Sequence, residues 1–155
     1  MHPSPLQLEH YFVTDLHFSF NRAFDGNKAM ELKFENLAVQ SAFLQDDKDA
    51  SKWQVTLKVI HQPAVTVNSP YSFSVEIVGL FHVLPAYHHD KELLVKTNGP
   101  SMLYGIAREY VRSFTSIGFN NYVIVLPSVS FFEPAQKPAS PAPATPAPTQ
   151  PQAAG

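Results

Sequence analysis

The sequence predicts an α+β fold: an antiparallel sheet of four amphipathic strands with one apolar face, covered by a single long helix. Three observations predict it. Apolar and polar residues alternate through most of positions 6–84, the period of strands with one buried and one wet face. A later stretch, 98–119, repeats its apolar residues at spacings of three and four instead, which puts them on one face of a helix. Beyond it, 133–155 holds seven of the chain's 14 prolines and no large apolar side chain. Such a composition buries too little surface to offset its ordering entropy. The domain is therefore expected to span 1–132, with 133–155 an extended, disordered tail that is inert or offers a proline-rich ligand to an aromatic groove.

The first strand, 6–20, sets Leu6, Leu8, His10, Phe12, Thr14, Leu16, Phe18 and Phe20 on one face. Gln7, Glu9, Asp15, His17 and Ser19 take the other. Asp25, Gly26 and Asn27 mark a turn. The second strand, 30–44, starts with Leu32 and Phe34 inward. After Asn36 its phase flips, and Leu37, Val39 and Phe43 take the opposite parity. A β-bulge produces such a flip, as does a strand that offers apolar residues to both faces in turn. A charged loop, 45–51, precedes the third strand, where Trp53, Val55, Leu57 and Val59 share a face. After a loop with Pro63 and Pro70, the fourth strand turns Tyr71, Phe73, Val75, Ile77, Phe81 and Val83 inward. A connection, 85–97, carries Tyr87, Leu93 and Leu94 to the helix.

In that helix Leu103, Ile106, Ala107, Tyr110, Phe114 and Ile117 form the stripe that covers the sheet, and Arg108, Glu109 and Arg112 face water or a partner. Asn98 is placed to cap the first turn, and Pro100 fits there because its missing N–H costs nothing. Gly118 supplies the left-handed residue that ends many helices.

Composition narrows the function classes. The chain has 155 residues, a formal charge of -2 and no cysteine. The charge gives no basic face for nucleic acid, and the missing thiols exclude disulfides, Cys-ligated zinc and a thiol nucleophile. No stretch nears the roughly 18 apolar residues that span a bilayer, and 1–10 lacks a basic region followed by an apolar run. A cytoplasmic protein without membrane insertion is expected. His88, His89 and Asp90 stand together, but adjacent side chains diverge and no spaced third ligand follows. No metal site or cofactor is expected, and with no glycine-rich phosphate loop and no Ser/His/Asp signature the chain reads as a non-enzyme.

Four strands, a crossover and a helix reading YGIAREYVRSFTSIGF, followed by Leu126-Pro127-x-Val129-x-Phe131, together resemble the bacterial SecB chaperone family. The opening strand, LEHYFVTDLHFSF, is similar too, and the resemblance spans 6–132. It implies a sheet ordered 1-4-3-2 and a homo-oligomer, a dimer of dimers joined through the 100–117 helix. It also implies an ATP-independent holdase that keeps precursors unfolded for export and hands them to the SecA motor. The nine-residue linker 21–29 reaches about 30 Å when extended, enough to cross three strand spacings, about 14 Å.

A holdase needs apolar surface that catches extended segments without reading their sequence. Leu37, Val39 and Phe43, with Leu84, Tyr87, Leu93 and Leu94 of the crossover and Val129, Phe131 and Phe132 beyond the helix, match the family's client groove. The same residues also suit packing against the core or a second subunit. Asp15 and Glu76 match acidic positions of the SecA-binding patch, although Ser19 stands where the family often carries another acid. The family's second helix has no counterpart, since Glu133 and Pro134 follow Phe132 directly. Two alternatives follow: a chaperone dedicated to the antitoxin of a toxin–antitoxin pair, and an oligomeric scaffold with no client.

Overall fold

Alternation at period two becomes four strands, β1 (Leu6–Phe20), β2 (Leu37–Gln45), β3 (Lys52–His61) and β4 (Tyr71–Val83), and one helix follows, α1 (Lys91–Ile117). The computed structural model describes residues 3–118 and 122–132. The tail expected at 133–155 lies outside the described residues. The sheet is antiparallel throughout and ordered β1-β4-β3-β2, with α1 lying on one face. This is the expected architecture.

Two local expectations about the strands fail. In β1 the register shifts between Leu8 and His10 and again between Val13 and Asp15. Each extra residue reverses the side-chain parity. Tyr11 and Val13 therefore lie on the helix side, opposite Gly79 and Ile77. Phe12, expected inward, faces out opposite Val78 and is 55% exposed, and His10 and Thr14 face out with it. In β2 the reverse holds. The segment before Leu37 is a 3-10 turn, Phe34–Asn36, and β2 pairs with β3 in unbroken register from Leu37 opposite His61 to Gln45 opposite Trp53. The apparent phase flip is the boundary of the strand, not a bulge within it.

The helix starts nine residues earlier than the periodicity at 100–117 announced. Asp90, not Asn98, is its N-cap, accepting the Leu93 N–H at 2.9 Å. Pro100 lies buried in the interior, where it removes one helical donor. Beside it Asn98 Nδ2 and Ser101 Oγ donate to the Leu94 and Thr97 carbonyls at 3.0 and 2.9 Å. The buried line is Val95, Gly99, Leu103, Ala107, Val111 and Thr115, an i, i+4 row of mostly small residues that lets α1 sit close on the sheet. At Gly99 a Cβ would come within 3.0 Å of Val55 Cγ2. Gly118 is not left-handed, at φ -71°; a side chain there would collide with the Tyr71 hydroxyl.

The core between sheet and helix is built on Leu57, Ile77, Phe81 and Leu103, joined by Ile124 and Leu126 from the extended segment after the helix. Burying each such side chain contributes about 1.5–3 kcal/mol.

Candidate functional site

Register settles where the apolar residues of β2 point. Leu37, Val39 and Phe43 face His61, Val59 and Val55, so they lie on the helix side of the sheet, in one row with Ser41 and Gln45. They are not outward residues. They are half-buried because β2 is an edge strand: one side of the row packs on the core and the other has no neighbouring strand.

The crossover closes the end of the sheet near the β4 terminus. Leu84, half-buried, donates its N–H to the Pro5 carbonyl at 2.9 Å, and Tyr87 N–H turns back to the Leu84 carbonyl at 3.0 Å. The Tyr87 ring packs on the core and stands edge-on to His89. Leu93 and Leu94 belong to the first turn of α1 and not to a loop: Leu94 packs inward, while Leu93 is 59% exposed. Asp90, the third member of the histidine pair's cluster, is the helix cap.

The chain after α1, 122–132, runs back along the helix flank away from β1. Side-chain hydrogen bonds from Thr115 and Tyr104 hold it to the helix. Thr115, fully buried, donates its hydroxyl to the Val111 carbonyl at 2.7 Å and accepts the Ile124 N–H at 2.9 Å. Tyr104 donates to the Pro127 carbonyl at 2.8 Å. Within the segment, the Phe132 N–H reaches Ser130 Oγ at 3.3 Å. Phe131 meets the Tyr104 ring edge-to-face at 6.0 Å. Val129 and Phe131 are half-buried on the core, and Phe132 is 69% exposed. Of the ten residues expected to form a client groove, Leu37, Val39, Phe43, Tyr87, Leu94, Val129 and Phe131 pack on one core cluster. Leu84 is half-buried, and Leu93 and Phe132 stand in solvent.

The opposite face of the sheet carries the two expected acids. Asp15 and Glu76 lie on this face, as alternation gave, and the register makes them direct cross-strand partners. Both carboxylates are already engaged. Glu76 accepts from Thr14 Oγ1 at 2.8 Å and lies 3.6 Å from Lys58 Nζ; Asp15 accepts from Ser74 Oγ at 3.1 Å. Lys58 offsets the charge of Glu76, so the patch is only weakly acidic.

One apolar surface escaped sequence reasoning. The α1 stripe predicted to cover the sheet is rotated: Ile106, Tyr110 and Phe114 lie on the β1 flank, and Phe114 is 44% exposed. With Met102 and Tyr11 they line an open groove of about 510 Å³. Burial, and after it the Tyr11 hydroxyl, push the Tyr110 phenol above its ordinary value. Tyr11 reaches this groove only because of the β1 bulge, which alternation alone does not disclose.

No family model and no curated protein matches the sequence. Solved structures do match. One is the SecB-like chaperone of Mycobacterium tuberculosis, in complex with a ChAD peptide from the HigA1 antitoxin, with a TM-score of 0.61 and 19% identity over 81% of this chain and 91% of that one. The fold is SecB-like. A protein of unknown function from Streptococcus agalactiae is also similar, with a TM-score of 0.50 and 15% identity over 79% of this chain and 97% of that one.

Proposed function

We propose that this protein is an ATP-independent holdase that binds extended apolar segments of unfolded chains along the half-buried row of β2, the crossover and residues 122–132. The observation that carries the reading is that row: Leu37, Val39 and Phe43 sit on the helix side of an edge strand, packed on one side and open on the other. Apolar surface left partly open is what a client without fixed sequence requires, and Leu93 and Phe132 add exposed apolar side chains on the crossover and the segment after the helix. The SecB-like fold of the M. tuberculosis chaperone supports it.

A second reading, a chaperone dedicated to one antitoxin, is favoured by the same neighbour, which was solved with an antitoxin peptide. General service to export through SecA is the weaker form, because Glu76 is compensated by Lys58. The Tyr11, Ile106, Tyr110 and Phe114 groove is the surface through which we expect copies of the chain to associate, and several weak client rows in one oligomer then act together by effective concentration. A client-free scaffold would use that interface alone. Residues 1–132 act as the chaperone domain, in the cytoplasm.

Light scattering tests the reading. At stoichiometric amounts and without nucleotide, the protein should suppress aggregation of a chemically unfolded client, and Phe43→Ser should weaken that suppression. A stable oligomer that leaves aggregation unchanged would refute the holdase in favour of the scaffold.

A further inference from the structure

We propose that the outer edge of β2 is a strand-addition site, which takes an extended client segment of alternating apolar residues flanked by a basic residue. This rests on the holdase reading and specifies how the client is held.

The backbone of β2 says what fits beside it. Gln62 N–H donates to the Asn36 carbonyl and Asp46 N–H to the Lys52 carbonyl, each at 3.0 Å, at the two ends of the β2–β3 ladder. Antiparallel pairing alternates inward and outward backbone groups. The even residues between those ends, Ala38, Gln40, Ala42 and Leu44, therefore bond β3. Val39, Ser41 and Phe43 aim their N–H and C=O groups away from the sheet, and among the described residues no backbone group meets them. Donor–acceptor pairs repeating every second residue match another extended chain.

The two edges of this sheet differ. β1 is blunted by two register shifts and by Glu9 and Asp15, devices that prevent strands from docking. β2 has nine residues, LAVQSAFLQ, with no charge, no proline and no bulge. Its helix-side row would continue onto an added strand about 4.8 Å away, and the small Ser41 leaves room there for a large client side chain.

Charge selects a foreign strand over a second copy. Beyond the C-terminal end of β2, Asp49 is held by Ser51 and lies 3.9 Å from Lys52, which leaves Asp46 and Asp47 against Lys48. At the other end Glu31 pairs with Lys33 at 3.5 Å, leaving Glu35 exposed. Antiparallel pairing of two copies would bring Asp46 and Asp47 of one beside Glu35 of the other. A client with a basic residue at that end meets attraction instead.

The test uses a fluorescein-labelled nine-residue peptide of alternating valine and threonine with a lysine at each end, titrated against the full chain. Two further peptides carry N-methyl groups on the valine amides or on the threonine amides. One of them should bind about 10- to 1000-fold more weakly, from three lost backbone bonds, and the other like the parent. Replacing the lysines by glutamates should weaken binding. Ser41→Pro, which removes only an outward N–H, should keep the fold and weaken the parent peptide. If both methylated peptides bind like the parent, strand addition is overturned while the holdase reading stands. If the parent fails to bind but aggregation is still suppressed, this proposal alone falls; if both are lost, the holdase reading falls with it. If Ser41→Pro breaks only self-association, measured by sedimentation, the edge belongs to a second copy.

Discussion

Gly79 in the middle of β4 lies beneath Leu103 of the helix, and it makes a quantitative prediction. A Cβ at this position would stand 2.7 Å from Phe81 Cε2, 2.8 Å from Leu103 Cδ2 and 3.2 Å from Leu8 Cδ1. Phe81 and Leu103 are 1% and 0% exposed, so neither side chain has free space to retreat into. Gly79→Ala should therefore cost about 1–3 kcal/mol by overpacking. Leu103→Ala alone should cost about 2–5 kcal/mol, through lost burial and the cavity left behind. Combined, the new methyl enters the space vacated by Leu103 Cδ2. The double variant should then be more stable than the sum of the two predicts by about 1–2 kcal/mol. Urea unfolding followed by fluorescence measures all three, since the one tryptophan, Trp53, is buried in the core. A Gly79→Ala change below about 0.5 kcal/mol, or additivity within about 0.5 kcal/mol, would refute the close approach of α1 to β4.

Thr115→Val should cost about 1–3 kcal/mol, because the buried Ile124 N–H loses its acceptor; hydrogen exchange should show lost protection at Ile124, and unchanged protection would mean that 122–132 is held otherwise. His61 gives a pH prediction. It is fully buried, and its Nε2 donates to Ser69 Oγ at 3.1 Å, since that hydroxyl itself donates to the Tyr71 carbonyl. Its Nδ1 makes no close hydrogen bond, and burial holds the ring below its usual 6.5 against a weaker opposing pull from the Asn36 backbone. The unfolded chain then takes up this proton before the folded one does, so stability is intact above pH 6.5 and falls as pH drops below it. The slope from this one group is at most about 1.4 kcal/mol per pH unit. His61→Gln should flatten the stability profile between pH 7 and 5, and an unchanged slope would show that His61 does not supply it.

Much of the fold is legible in the residues. The inward rows of β3 and β4 are as alternation gives them, because these central strands have neighbours on both sides and one face buried along their whole length. The edges are harder. In β1 the bulges at Glu9 and Thr14 leave no mark in the pattern, since Tyr11, Phe12 and Val13 are all apolar and either parity reads as a strand. In α1 the proline misled: Pro100 signals a first turn, yet an Asp90 cap and packing of the ring carry the helix through it. The row on β2 was legible as an anomaly, while its direction was not.

The sequence by itself determined the class of structure, because period-two and period-3.6 patterns fix which elements form and which faces must be covered. The acidic pair falls on one face as parity gave it because the two register shifts of β1 cancel before Asp15. Only the tertiary structure decided which apolar residues stay open. Sequence records that a side chain is apolar, whereas exposure depends on whether another element lies beside it. The outer edge of β2 has no neighbouring strand, and the i, i+4 row of small residues that seats α1 leaves Ile106, Tyr110 and Phe114 only half covered beside β1, where Phe114 stacks on Phe18 at 5.1 Å.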